Sequence, residues 1–92
     1  MKRPIKFVMT QGLAAAADEN PATGAAIYDA LRRFGAREWG DLSQEDKEAN
    51  DRDLAESCGR VLARYETPSG DIYIIFYPGS EEPATILFCD EY

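Results

Sequence analysis

The chain has 92 residues, 45% of them hydrophobic and 29% charged, which is the composition of one folded domain rather than a disordered tail. Seventeen acidic residues against 10 basic ones give a formal charge of −7 and a pI near 4.4. That balance makes the chain a poor candidate for general binding to a phosphate backbone, because such affinity comes from neutralising phosphates with cations. No stretch nears the roughly 20 apolar residues of a membrane span.

In chain order, Ile5-Lys6-Phe7-Val8-Met9 reads as a short strand, and Thr10 as the cap of a short helix over Leu13 to Ala17. Its four alanines favour helix but offer little apolar area, so that helix must lie close against a neighbour. Asn20-Pro21 opens a second helix and Gly35 is its expected stop. Ile27, Ala30, Leu31 and Phe34 share one face of it, and Arg32 and Arg33 suit the carbonyl end of the dipole. Trp39-Gly40-Asp41-Leu42 is a turn, with Trp39 expected as a core plug between helices. Ser43 and Asp46 approximate a capping box for a third helix, from about Gln44 to Ser57, with Gly59 as its stop. Leu54, Ala55 and Cys58 are its few apolar contacts, so it is expected at the surface with a strongly negative outer face.

From Arg60 the hydrophobic period changes to two. Arg60–Glu66, Ile72–Tyr77 and Ala84–Cys89 read as strands joined by turns at residues 68–71 and 78–83, an antiparallel meander. Ile72, Ile74 and Phe76 alternate with Tyr73, Ile75 and Tyr77, so the middle strand is apolar on both faces and therefore central. The expected architecture is one α+β domain over residues 1–92. About three helices pack on one face of a three- or four-stranded, mainly antiparallel sheet.

Charge is concentrated rather than spread. Residues 1–17 carry Lys2, Arg3 and Lys6 and no acid, whereas residues 41–56 hold seven acids against Lys47 and Arg52. Catalytic chemistry finds little footing. Histidine is absent, so Ser43, Ser57, Ser69 and Ser80 lack the usual activating base, and no glycine-rich phosphate loop occurs. Asp46, Asn50 and Asp53 fall at i, i+4 and i+7, where oxygen ligands could face a hard cation, but the EF-hand pattern is missing and a solvated acidic face is the preferred reading. Cys58 and Cys89 each end an apolar pattern and are expected as buried, inert thiols. No catalytic residue, metal or cofactor is assigned. The opening Met1-Lys2-Arg3-Pro4 lacks the apolar core of a signal peptide, and two cysteines make no disulfide framework, so the expected location is the cytoplasm.

What remains is surface. Asp46, Glu48, Asp51, Asp53 and Glu56 on the third helix can present negative charge to a basic groove that normally holds nucleic acid. Tyr73, Tyr77 and Phe88 are either core or, if they line an open outer sheet face, aromatic anchors for a partner or a second copy. The small basic patch of Lys2, Arg3 and Lys6 is too limited for a nucleic-acid footprint.

The segments Met9-Thr10-Gln11-Gly12, Trp39-Gly40-Asp41-Leu42, Glu45-Asp46-Lys47-Glu48-Ala49-Asn50-Asp51, Gly59–Tyr65, Gly70–Ile75 and Ala84–Tyr92 span most of the chain. In that order they resemble a family of small uncharacterised proteins carried on bacterial plasmids and integrative elements. Members of that family tend to carry Trp in the strand where this chain has Gly70–Ile75, and a short polar turn where it has Tyr77–Pro83. The resemblance implies mobile-element cargo, a setting in which small acidic proteins often inhibit host defence, anti-CRISPR proteins among them. The expectation is a non-catalytic protein that binds and inhibits a nucleic-acid-handling defence complex, with a CRISPR effector or nuclease subunit as partner. The alternative is a mobile-element module that forms a homodimer through its outer sheet face.

Overall fold

A computed structural model describes residues 5–92, and the expected Lys2 and Arg3 of the basic patch lie outside the described residues. The elements in chain order are β1 (Phe7–Met9), α1 (Gln11–Glu19), α2 (Pro21–Gly35), α3 (Gln44–Glu56), β2 (Val61–Tyr65), β3 (Ile72–Phe76), β4 (Ala84–Phe88) and a closing 3₁₀ turn at Cys89–Glu91. The four strands form one mixed sheet in the order β1-β4-β3-β2. β2, β3 and β4 are the antiparallel meander, and β1 adds in parallel beside β4 with Phe7 opposite Ala84 and Met9 opposite Ile86. The fold is α+β, as the hydrophobic periods predict.

Helix starts follow their capping chemistry. The Thr10 side chain accepts from Leu13 N, the Asn20 side chain from Ala22 N with Pro21 in the first turn, and the Ser43 side chain from Asp46 N. Helix ends fall within a residue of where glycine suggested, but the reversals are made by other residues. Gly35 is the last residue of α2, and the reversal is made two residues later by Arg37 at φ +62°. The amide of Glu38 reaches the Arg33 carbonyl (2.9 Å) and that of Arg37 the Phe34 carbonyl (3.0 Å), the paired bonds of a Schellman stop. In α3 the left-handed residue is Ser57 at φ +50°, ahead of Gly59, and Cys58 N bonds Asp53 O at 3.0 Å. Both stops are set by the bonds available to the last carbonyls, with a non-glycine residue carrying the strain.

The register sorts the strand residues into two faces. One carries Val61, Ala63, Tyr65, Ile72, Ile74, Ala84 and Ile86, all buried, and receives Leu13 of α1 and Ile27, Ala30 and Phe34 of α2. Phe76 and Phe88 are half-buried against this core, so Phe88 belongs to the inner side and not to an outer aromatic patch. Trp39 is buried as expected, edge-on to Phe34 at 5.3 Å, with its Nε1–H donating to Asp51 Oδ1 at 2.9 Å. Thr23, fully buried on α2, shares a 2.5 Å hydrogen bond with Ser69 and ties that helix to the β2–β3 turn.

α3 meets the sheet at its β2 edge, where Asn50, its one buried residue, turns toward the strand. Gly40, at φ +81°, lies so close to the Arg64 carbonyl that a Cβ there would collide with it. This glycine lets the 39–41 segment run beside β2 as a short parallel bridge. The chain end closes on the other side of the molecule. Glu91 Oε1 accepts from the Thr10 hydroxyl and from Phe88 N, each at 2.8 Å, locking the 3₁₀ turn to the start of α1.

Candidate functional site

The acidic helix starts where the Ser43 side chain satisfies its first turn, and the exposed Glu45 and Asp46 at its positive end add only a small, solvent-screened contribution. Its apolar content is small, with Leu54 packed against the core, and polar side chains carry much of its docking, Asn50 foremost. Asn50 Nδ2 donates to Leu62 O at 2.9 Å while its Oδ1 accepts from Leu62 N at 3.2 Å. A single amide thus takes the place of a neighbouring strand. Asn50 is consequently committed to the β2 backbone, and the Asp46–Asn50–Asp53 alignment does not form a cation site. Among the described residues no cluster of metal-ligating side chains occurs.

The five carboxylates singled out on this helix divide into two kinds. Asp51 holds the Trp39 indole, and Asp53 Oδ2 accepts from Arg60 N at 3.3 Å while packing against Gly59. Both act within the fold. Asp46 and Glu48 are exposed, with no hydrogen-bond or ion-pair partner for their carboxylates among the described residues, and the same is true of Glu45. Glu56 is exposed and accepts only a long contact from the Cys58 thiol at 3.7 Å. The ion pairs of the described residues, Arg32–Asp29, Arg33–Glu38 and Arg64–Asp71, lie outside α3. The negative block at residues 41–56 therefore faces solvent with only Lys47 and Arg52 of its own to offset it.

The outer sheet face does not present two open tyrosines. Tyr73 is half-buried, edge-on to Tyr92 at 5.6 Å and approached by the Arg64 guanidinium at 5.9 Å. The Tyr92 hydroxyl is bonded by Arg60, so the last residue folds over this face. Tyr77 remains exposed at its end. Ile75 and Leu87, also on this side, are buried. The acidic helix and Tyr73 consequently flank β2 from different directions and do not converge on one spot.

The thiols also differ from expectation. Cys58 is exposed in the loop after α3 and Cys89 half-buried in the 3₁₀ turn, because each lies just past the element whose apolar pattern it seemed to continue. Partial desolvation together with Glu56 and Asp53 pushes the Cys58 thiol up, and desolvation raises Cys89 despite nearby Arg64.

An open cleft of about 950 Å³ lies between the ends of α2 and α3 and the β3–β4 loop, floored by Phe34, Trp39, Leu54 and Phe76. Ser57 and Ser80 reach its rim, but Ser57 serves as the helix stop and Ser80 Oγ accepts from Glu82 N at 3.0 Å.

Sequence reasoning missed two features. One is the role of Asn50, although its place on the same helical face as Leu54 was a signal for contact with the sheet. The other is the exposure of β1, where Phe7, Val8 and Met9 are all exposed, as is Ile5 just before it. No family model, curated protein or solved structure matches this chain.

Proposed function

We propose that this chain is a non-catalytic mobile-element protein that binds and inhibits a nucleic-acid-handling defence complex, in the manner of anti-CRISPR proteins. The observation that carries the reading is the solvent-facing, internally unpaired negative charge of α3, above all Glu45, Asp46 and Glu48. Carboxylates already paired within a fold have little to offer a partner, whereas unpaired ones steer and hold a basic groove. The partner is then a protein surface of clustered lysines and arginines that otherwise grips phosphate, a CRISPR effector or nuclease subunit being the proposed class. No helix of the described residues is long and apolar enough to cross a membrane, and the proposed compartment is the cytoplasm.

The test is recovery of the partner from host lysate by tagged protein, read by mass spectrometry, beside a Glu45→Lys, Asp46→Lys, Glu48→Lys variant. These three positions are chosen because Asp51 and Asp53 hold Trp39 and Arg60, so reversing them would confuse binding with folding. The expected result is a nucleic-acid-handling subunit that the parent retains and the variant loses. It should also be released by moderate salt, since exposed charge pairs are screened within about 8–10 Å near physiological ionic strength. Equal recovery by parent and variant, or retention indifferent to salt, would overturn the electrostatic reading.

A further inference from the structure

The two edges of the sheet are treated differently. Along β2 the outward-facing backbone groups are occupied one after another: Arg60 N by Asp53 at 3.3 Å, Leu62 N and O by Asn50, and Arg64 by Trp39 O at 3.1 Å and Asp41 N at 2.8 Å. Such plugging prevents another strand from adding there. Along β1 there is no counterpart. Lys6 O accepts from Ala84 N and Thr10 N donates to Ile86 O, so these residues bond inward to β4. Backbone direction alternates along a strand, so Phe7 and Met9 point their amides and carbonyls away from the sheet. No partner for them occurs among the described residues. Around this bare edge Ile5, Phe7, Val8 and Met9 are between 36% and 47% exposed, four of the seven exposed large hydrophobic residues in the described chain.

We infer that β1 pairs antiparallel with β1 of a second copy of this chain, extending two four-stranded sheets into one. The segment is self-complementary about a two-fold axis through Val8. In that register each Phe7 exchanges its backbone bonds with the second copy's Met9, and every unpaired group of the edge is satisfied. Val8 meets its own symmetry mate, and Lys6 falls opposite Thr10, so no like charges are directly opposed. An isologous contact of this kind closes on itself and leaves no edge for further growth, because the β2 edges are plugged.

Charge favours a second copy at this edge. α3 and its acidic block lie beside β2, at the far end of the strand order from β1. Seven strand spacings of about 4.8 Å put the two β2 strands of the dimer roughly 34 Å apart, several Debye lengths at physiological salt. Any approach through α3 would instead press two negative blocks together. Residues 1–17, which include β1, carry no acid at all. Pairing three-residue strands makes a small interface of the transient class, so the dimer is concentration-dependent.

Sedimentation velocity from low micromolar to millimolar protein reads this directly. The expected result is a shift from monomer to dimer mass that is not weakened by added salt, since salt screens the repulsion between two acidic copies. That insensitivity separates it from binding through α3, and either can fail without the other. Val8→Asp, which keeps the backbone bonds to β4 but sets two carboxylates face to face, is expected to remain monomeric with an unchanged circular dichroism spectrum. A register-specific check uses Val8→Cys in a Cys58→Ser, Cys89→Ser background. Facing residues of a non-hydrogen-bonded antiparallel pair have Cα atoms about 4.5 Å apart, within disulfide reach. Oxidation should then give a covalent dimer, whereas Tyr28→Cys, exposed on α2, should not. A monomer at every concentration, a dimer that survives Val8→Asp, or equal cross-linking from position 28 would each overturn the inference. The first outcome would leave the edge to an extended strand of another protein.

Discussion

Asn50 shows how much of this small fold turns on one side chain. Its amide satisfies both the N–H and the C=O of Leu62, and no side-chain nitrogen or oxygen is left buried and unpaired among the described residues. Removing such a partner exposes the cost of desolvated backbone groups, about 1–3 kcal/mol, since the strand edge lies under the helix and is poorly reached by water. Asn50→Ala is expected to lower unfolding free energy by about that amount in urea titration. Asn50→Asp should not rescue it, because a carboxylate can accept from Leu62 N but cannot donate to Leu62 O. Trp39 and Asp51 form a second such pair, linking the 39–42 turn to α3. A carboxylate on the solvated helix can thus be structural while its neighbour one turn away is free for a partner.

At the scale of the element, the helices are governed at both ends by local hydrogen bonding, with different success in choosing residues. Thr10, Asn20 and Ser43 are favourable caps at favourable positions. The stops are less well served, with Arg37 and Ser57 held in left-handed conformation at φ +62° and +50°. That conformation costs a non-glycine residue about 1–2 kcal/mol, while glycine adds unfolded-state entropy of about 0.5–1 kcal/mol. Arg37→Gly is therefore expected to stabilise the protein by about 0.5–1 kcal/mol, seen as a higher midpoint in thermal unfolding. The exposed Arg37 forms no ion pair among the described residues, so little is lost in exchange.

At the scale of the whole molecule, the response to alkali follows from Tyr65. Its hydroxyl donates to Glu38 O at 2.7 Å beneath the Arg33 guanidinium, and burial raises its pKa far above the ordinary tyrosine value despite that cation. Because the folded value is raised, the contribution is complete below the unfolded pKa near 10 and is lost as pH climbs beyond it. The melting temperature should fall above about pH 10, and Tyr65→Phe should flatten that limb while lowering stability at neutral pH through the lost hydrogen bond. Acid acts elsewhere. Glu38 is held below the usual carboxylate range by its bond to Arg33, so its contribution is present above the unfolded pKa and fades as pH falls through the folded one. Between those limits the net charge of −7 keeps copies apart except where β1 allows approach.

Much of this protein was decided locally and was legible as such. The 3.6 period of Ile27, Ala30 and Phe34, the period of two from Val61 onward, and the caps at Thr10, Asn20 and Ser43 follow from bonds and burial within a few residues of each position. The α+β class and the concentration of acids in residues 41–56 belong to the same level. Other features required distant segments to meet. The parallel placement of β1 beside β4 joins positions about 77 apart in the chain, and no local pattern encodes such a pairing. Whether Asp51 is free depends on where Trp39 arrives, and whether Asn50 is a ligand or an edge plug depends on Leu62. Tyr73 is covered because the last residue of the chain turns back over it. Sequence determined which segments are helix or strand and where charge is concentrated, because those depend on neighbours along the chain. Tertiary structure alone decided which carboxylates remain unpaired and which sheet edge stays open, because a polar group is satisfied or left bare by whatever the fold brings against it.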